Sequence, residues 1–410
     1  MARHGWRHLA LGELLTESRQ RVAVDVDGVY PMCGVYGFGR GVLFREAVRG
    51  ATLSTPYLYR ISAGQIIYSR LKAFEGAFAL VPPAADGRYV SNEFPTFDVD
   101  EGQALPAFIA YVLTLRRTWM ELTERITGVG ARRERLQVEE FLEFEIDLPP
   151  LALQRSVVMA VTAADAVVTA SDAERHAGFE VVRAAVEELI VPLGTWDTLP
   201  EGWELCELGD VTELRSGITK GRRTTEPLEA VPFLRAANVQ DGYLDLREIK
   251  TIEVTAKEKE RFRLEQGDVL MIEGGNAEHL GRGWVWSGQV EGCIHQNHVF
   301  RARPNRTVVE PRFLAYVIAA SLARAYCLDR AKRTTNLASI NSTQMRALPV
   351  PLPAREEQRG IVAKLDAIRS AAVAAECVYQ RLRELRSTLL ETLLSGNWQV
   401  REPVNELATA

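Results

Sequence analysis

The sequence predicts an α+β protein built by internal duplication: two similar domains, each followed by a similar long helix. Three observations predict it. Four short segments recur in the same order about two hundred positions apart. Each half runs from a strand-rich region into a short helix and then into a long one. At 410 residues, the chain is too long for one ordinary domain.

The repeat can be read directly. Trp6 to Glu13 and Trp203 to Asp210 both open on Trp and close on apolar-Gly-acid. Gly64-Gln65-Ile66-Ile67-Tyr68 parallels Gly267-Asp268-Val269-Leu270-Met271, a turn leading into a buried strand. Phe108 to Leu113 parallels Phe313 to Ile318 at an offset of 205. Leu148-Pro149 followed by Gln154-Arg155 parallels Leu352-Pro353 followed by Gln358-Arg359 at an offset of 204. Any one match is a common fragment. The shared order of all four implies duplication.

Strand-like spacing marks Val29 to Val35, Gln65 to Arg70 and Ala77 to Val81 in the first half, and Val269 to Ile272 and Gly283 to Trp286 in the second. Short amphipathic helices follow at Pro106 to Thr123 and Pro311 to Arg330, each with Pro suited to the first turn. Long helices are expected from Leu151 to Ile190 and from Ala354 to Ser395, each reaching about 60 Å at ~1.5 Å per residue. The second reads as a coiled-coil helix. Ile361, Ile368, Ala375, Leu382 and Leu389 recur every seven residues, with Leu365, Ala372, Leu385 and Leu393 between them. Such a helix cannot bury its stripe alone, and its repeat-mate is the expected partner.

Hydrophobic residues make up 47% and charged residues 25%, an ordinary globular balance. No apolar run approaches the ~20 residues that span a bilayer, and the N-terminus lacks a signal core. Five scattered cysteines without a CxxC pair read as reduced cytoplasmic thiols. The net charge of −5 weighs against a small autonomous nucleic-acid-binding domain, so basic residues would have to gather locally.

Motifs of catalysis are missing. No Gly-rich phosphate loop opens a helix, and there is no Gly-x-Ser-x-Gly, His-Glu-x-x-His or Asn-Pro-Pro-aromatic segment. Glu273-Gly274-Gly275-Asn276 lacks the remaining Gly and Lys of a nucleotide loop and reads as a tight turn. His295 and His298 beside Cys293 have metal-compatible spacing but nothing to complete a set, so a polar loop is the plainer reading. No cofactor or metal is expected on this chain.

Basic and amide-rich segments stand out instead. Leu214 to Thr225 holds Arg215, Lys220, Arg222 and Arg223 without a carboxylate, and Lys332, Arg333 and Asn336 form a second group. Asn276, Arg282, Gln296 and Asn297 add side chains able to read base edges. In the first half the candidates are Tyr36, Arg40, Arg70, Lys72, Asn92, Arg132 and Arg133. A solvated surface loop is the bland alternative for each cluster; two clusters flanking one globular region favour phosphate contact.

With these residues in view, the chain resembles the specificity subunits of type I restriction-modification systems, from residue 6 to about 398. The resemblance rests on the paired Trp…Leu-Gly-acid openings and the paired Gly-Gln/Asp-apolar-apolar strands. It rests also on Leu348 to Arg359 with Ile361, and on Asn92 and Asn297 after apolar strands. Leu148 to Leu153 departs from the second copy by lacking its Glu-Glu. The resemblance implies target-recognition domains at 1–147 and 196–347 joined by two long antiparallel spacer helices in a pseudo-twofold repeat, the first with its linker at 148–195 and the second at 348–398, and a flexible tail at 399–410. It implies a non-catalytic subunit that reads a bipartite target in double-stranded DNA, with Ile361, Leu365, Ile368, Leu382, Leu385 and Leu389 as the spacer-helix face. It implies two modification (methyltransferase) subunits using S-adenosylmethionine, and restriction subunits using ATP and Mg2+. Rival readings are a fused methyltransferase or nuclease, a protein scaffold, and a repurposed subunit of another phage-defence complex.

Overall fold

The structure is a computed structural model that describes residues 5–124, 135–219, 221, 225–334 and 337–395. It divides into two compact units, residues 1–170 with 379–410 and residues 171–378. Two long helices, Leu151–Ile190 and Arg355–Ser395, each give a segment to both units.

In the first unit, β1 (Arg7–Ala10) pairs antiparallel with β11 (Glu145–Leu148), just ahead of the first long helix. A four-stranded sheet follows the order β2 (Leu15–Glu17), β10 (Thr96–Val99), β7 (Ile66–Tyr68), β8 (Phe78–Leu80). Its core is aromatic. The rings of Tyr68 and Phe97 lie 4.7 Å and 5.1 Å from that of Phe141, and all three side chains are fully buried. Helix Pro106–Thr114 covers this sheet with Phe108, Ile109 and Leu113. A second, five-stranded sheet has the order β3 (Gln20–Ala23), β6 (Tyr57–Arg60), β9 (Tyr89–Val90), β4 (Val29–Val35), β5 (Val42–Arg49).

The second unit repeats the first plan. Strand β12 (Glu204–Glu207) pairs with β23 (Pro349–Leu352), again just before a long helix. The four-stranded sheet is β13 (Thr212–Ser216), β20 (Val299–Pro304), β16 (Val269–Ile272), β18 (Gly283–Val285), covered by helix Pro311–Ala319. The remainder differs. A three-stranded sheet joins β15 (Lys250–Val254), β14 (Glu229–Leu234) and β19 (Ile294–His295), the last pair parallel. A smaller one joins β17 (Gly274–Gly275), β22 (Ala338–Ser339) and β21 (Lys332–Arg333).

The repeated glutamines explain themselves. Gln154 and Gln358 are both 0% exposed. Gln154 accepts from the Leu105 N–H and donates to the Gln103 and Pro149 carbonyls. Gln358 accepts from the Glu310 N–H and donates to the Val308 and Pro353 carbonyls. Each side chain thus satisfies three buried backbone groups and ties the start of a long helix to the start of a short one.

The structure corrects three expectations. The short helices do not run unbroken over 106–123 and 311–330. They break at Leu115 and Ala320, which turn extended (ψ 132° and 150°) and sink into the core, and then restart as Arg116–Glu124 and Ser321–Arg330. The heptad stripe holds only in part. Ile361 and Leu365 are buried, Ile368, Leu382 and Leu389 half-buried, but Leu385 is 60% exposed while Leu390 and Leu394 are buried. A straight helix drifts by ~20° per heptad, and the apolar residues dock on each unit's own core as well as on a neighbouring helix. Finally, one stretch of Leu151–Ile190 is apolar enough by length and composition to cross a membrane, with mean hydropathy 1.5. Within the first unit its Val157 and Val161 are buried, Met159 is exposed, and Asp165 pairs with Arg386.

Candidate nucleic-acid interface

A backbone cross-link gathers the candidates of each unit along one edge, and it is the same cross-link twice. In the first unit the Arg70 N–H donates to the Glu93 carbonyl and the Arg70 carbonyl accepts from the Leu136 N–H. In the second, the Glu273 N–H donates to the His298 carbonyl and the Glu273 carbonyl accepts from the Ile340 N–H. In both, the residue just after a buried central strand is clamped between an asparagine-bearing loop and the segment returning toward the long helix.

On the first unit's edge lie Arg70, Asn92 and the loop ahead of Leu136. Arg70 bonds the Gln137 side chain, and its Nε finds no partner. The Asn92 side chain accepts from Arg19 at 2.6 Å, and Arg19 also lies 4.0 Å above the Tyr59 ring. Arg135 pairs with Glu93 at 3.0 Å. Arg132 and Arg133 lie outside the described residues. Lys72 is exposed and pairs with Glu75 at 3.3 Å. Tyr36 and Arg40 stack at 4.9 Å in the turn between β4 and β5, whose Phe38 and Gly39 N–H groups donate to the Glu75 and Gly76 carbonyls beside Lys72.

The second unit's edge collects more. Ile218, just beyond Arg215, bridges to Gln296, and the Asn297 N–H donates to the Ile218 carbonyl. The small sheet sets exposed Lys332 opposite Ser339, and Ser339 opposite Gly274, so Lys332 and Arg333 lie across β22 from the strand that leads to Asn276. Asn276 spends its side chain capping a short turn through the Glu278 N–H. Lys220, Arg222, Arg223 and Asn336 lie outside the described residues. Arg282 is half-buried, its Nε is unpartnered, and burial lowers its pKa. Burial raises the Glu273 carboxyl above its usual range, opposed by His298 at 4.0 Å.

Burial separates the two histidines. His295 is 0% exposed with Nδ1 3.1 Å from the Phe262 carbonyl, while His298 is exposed. Among the described residues no group of three or more His, Cys, Asp or Glu could hold a metal ion. Sequence reasoning missed Arg19, Arg301 and Arg303. The alternation Phe300-Arg301-Ala302-Arg303 was the available signal, since a strand turns those two arginines to one face.

Residues 200–376 match the type I restriction modification DNA specificity domain. The chain is 31% identical over 165 residues to the MjaX specificity subunit of a type I restriction enzyme in Methanocaldococcus jannaschii, covering 40% of this chain and 38% of that one. It is 24% identical to the StySPI specificity subunit of Salmonella potsdam (49% and 45% covered) and to the EcoKI specificity subunit of Escherichia coli (47% and 43%). The match thus spans less than half the length of each of these relatives. A solved chain from work on complex assembly and conformational transition of the type I R-M system superposes over 95% of this chain and 98% of its own, at TM-score 0.55 and 20% identity, which supports the fold. An HsdS subunit from Thermoanaerobacter tengcongensis aligns over 96% and 98%, with 20% identity and TM-score 0.39.

Proposed function

We propose that the chain is a specificity subunit of the type I restriction-modification family, and that it reads a split target in double-stranded DNA, one half through each unit. The observation that carries the reading is the duplicated edge: Arg70 with Asn92 in one unit, and Gln296, Asn297, Lys332 and Arg333 around Glu273 in the other. Arginine, lysine and amide side chains beside exposed loops suit phosphate and base-edge contact, each good bidentate base contact contributing ~1–3 kcal/mol of discrimination.

On this reading residues 1–147 and 196–347 are target-recognition domains, and the long helices are the spacers that fix the gap between half-sites. The chain itself is non-catalytic and works in the cytoplasm. Two modification subunits supply S-adenosylmethionine-dependent adenine methylation, and restriction subunits, where present, supply ATP- and Mg2+-dependent cleavage. The net charge of −5 is tolerable because partners share the wrapping of DNA. The test is to express the chain with its genomic neighbours and map methylated adenines in host DNA. A single two-part motif with a fixed gap is expected; an assembled complex that neither methylates nor binds DNA would overturn the reading.

A further inference from the structure

Two arginines on one strand of the second unit have opposite fates. Arg303 is saturated: it binds the buried Asp268 carboxylate through Nε at 2.8 Å and Nη2 at 2.9 Å, and Glu265 through Nη1 at 2.6 Å. Arg301, two residues earlier on the same face, is 2% exposed yet poorly held. Its Nη1 reaches the Arg263 carbonyl at 3.3 Å and its Nη2 reaches Glu213 at 3.4 Å, both long, and its Nε has no partner. It also stands directly opposite Arg215 on β13. Like charges in that position destabilise a sheet. Burial, with Arg303 adding to it, lowers its pKa. Its hydrogen bonds are long and its Nε is unsatisfied, a costly state for a buried guanidinium. Local conflict of this kind marks positions kept for function.

The space in front of Arg301 is a depression of about 490 Å3, lined by Arg215, Lys257, Arg261, Arg301 and Arg303 against Glu213, Glu260 and Glu265. Glu213 is half-exposed and is shared between Arg215 and Arg301. We propose that this cup binds one phosphate of the DNA backbone, with Arg301 at its floor and Arg215 at its rim, and that Glu213 keeps the place in the absence of DNA. The inference rests on the DNA-reading function above and adds a site to it. A phosphodiester supplies the oxygens that Arg301 lacks and screens the Arg215–Arg301 repulsion, and the contact carries no base information.

The test uses the complex assembled by co-expressing the full chain with its genomic neighbours, and a random-sequence duplex of about 30 base pairs, since a phosphate contact is indifferent to sequence. Affinity is measured across a NaCl series for wild type, Arg301→Gln and Glu213→Gln, with thermal denaturation alongside. Arg301→Gln should weaken binding and lower the salt slope by about one, so that its loss of affinity between 50 and 200 mM salt is ~3.5-fold smaller than wild type. Glu213→Gln, which removes the competing carboxylate, should tighten binding even if it lowers Tm. A merely structural arginine would shift Tm and leave the slope unchanged, and that result overturns the inference while leaving the function intact. A wild-type complex without salt-dependent duplex binding would instead sink the DNA-reading function, and this site with it.

Discussion

The two units share a frame and differ in what the frame carries. Both have the strand pair ahead of a long helix, the four-stranded sheet, the broken short helix, the buried glutamine and the clamped edge residue. Beyond the frame, one builds a five-stranded sheet and the other two three-stranded sheets. Even the clamp changes sign, with Arg70 in one unit and Glu273 in the other. On the proposed reading this separates two demands. What meets identical partners and fixes the geometry stays duplicated. What meets different DNA half-sites is free to diverge.

The largest expected effect comes from breaking one divergent region at a time. A Cβ at Gly217 would lie 2.1 Å from the His295 carbonyl oxygen, and one at Gly50 would lie 1.8 Å from that of Asp25. Backbone clashes of this depth leave no room for a rotamer to relieve them. Gly217→Ala should cost roughly 4 kcal/mol or more and strip hydrogen-exchange protection from the second unit's β14 and β19. Gly50→Ala should do so in the first unit's β4 and β5. Protection lost in both units by either change would show that the units are not independent.

The frame should respond symmetrically. Gln154→Ala and Gln358→Ala each orphan three buried backbone groups. Each should cost about 3 kcal/mol in urea unfolding. Widely unequal costs would mean that the repeat is geometric but not energetic.

Acid should separate the units. Burial depresses the His295 pKa from 6.5 to about 4, and the described histidine of the first unit, His8, is exposed. Between those two values the unfolded chain binds a proton that the folded one refuses, so stability is present above pH 6.5 and falls toward pH 4. The slope reaches roughly 1.4 kcal/mol per pH unit. The second unit should therefore loosen first, and His295→Asn should flatten its pH profile; an unchanged profile would contradict the assignment. The smallest contrast lies at the repeated tyrosines. Tyr316 donates to Asp366 at 2.7 Å, whereas Tyr111 reaches Thr162 and Asp165 only at 3.3 and 3.4 Å. Tyr316→Phe should cost about 1.5 kcal/mol and Tyr111→Phe well under half of that.

The frame was legible in the sequence because duplication prints the same local pattern twice. Trp6 and Trp203, Gln154 and Gln358, and the Pro-started helices all mark equivalent places. The divergent sheets were not legible. Strands as short as Tyr89–Val90 and Ile294–His295 carry no periodicity, and their partners are distant in sequence. The long-helix pattern identified the helices but not which face meets what, since Leu385 fits the heptad yet faces outward. Candidate residues chosen by charge found Arg215 but passed over Arg301, whose significance lies in its burial and its missing partner.

The central claim is that each unit reads its own half of a split DNA target. The most direct test replaces residues 6–147 with the same segment of another family member and maps methylated adenines made by the assembled complex. One half of the motif should change while the other half and the gap stay fixed. A motif that changes in both halves, or in neither, would contradict the account.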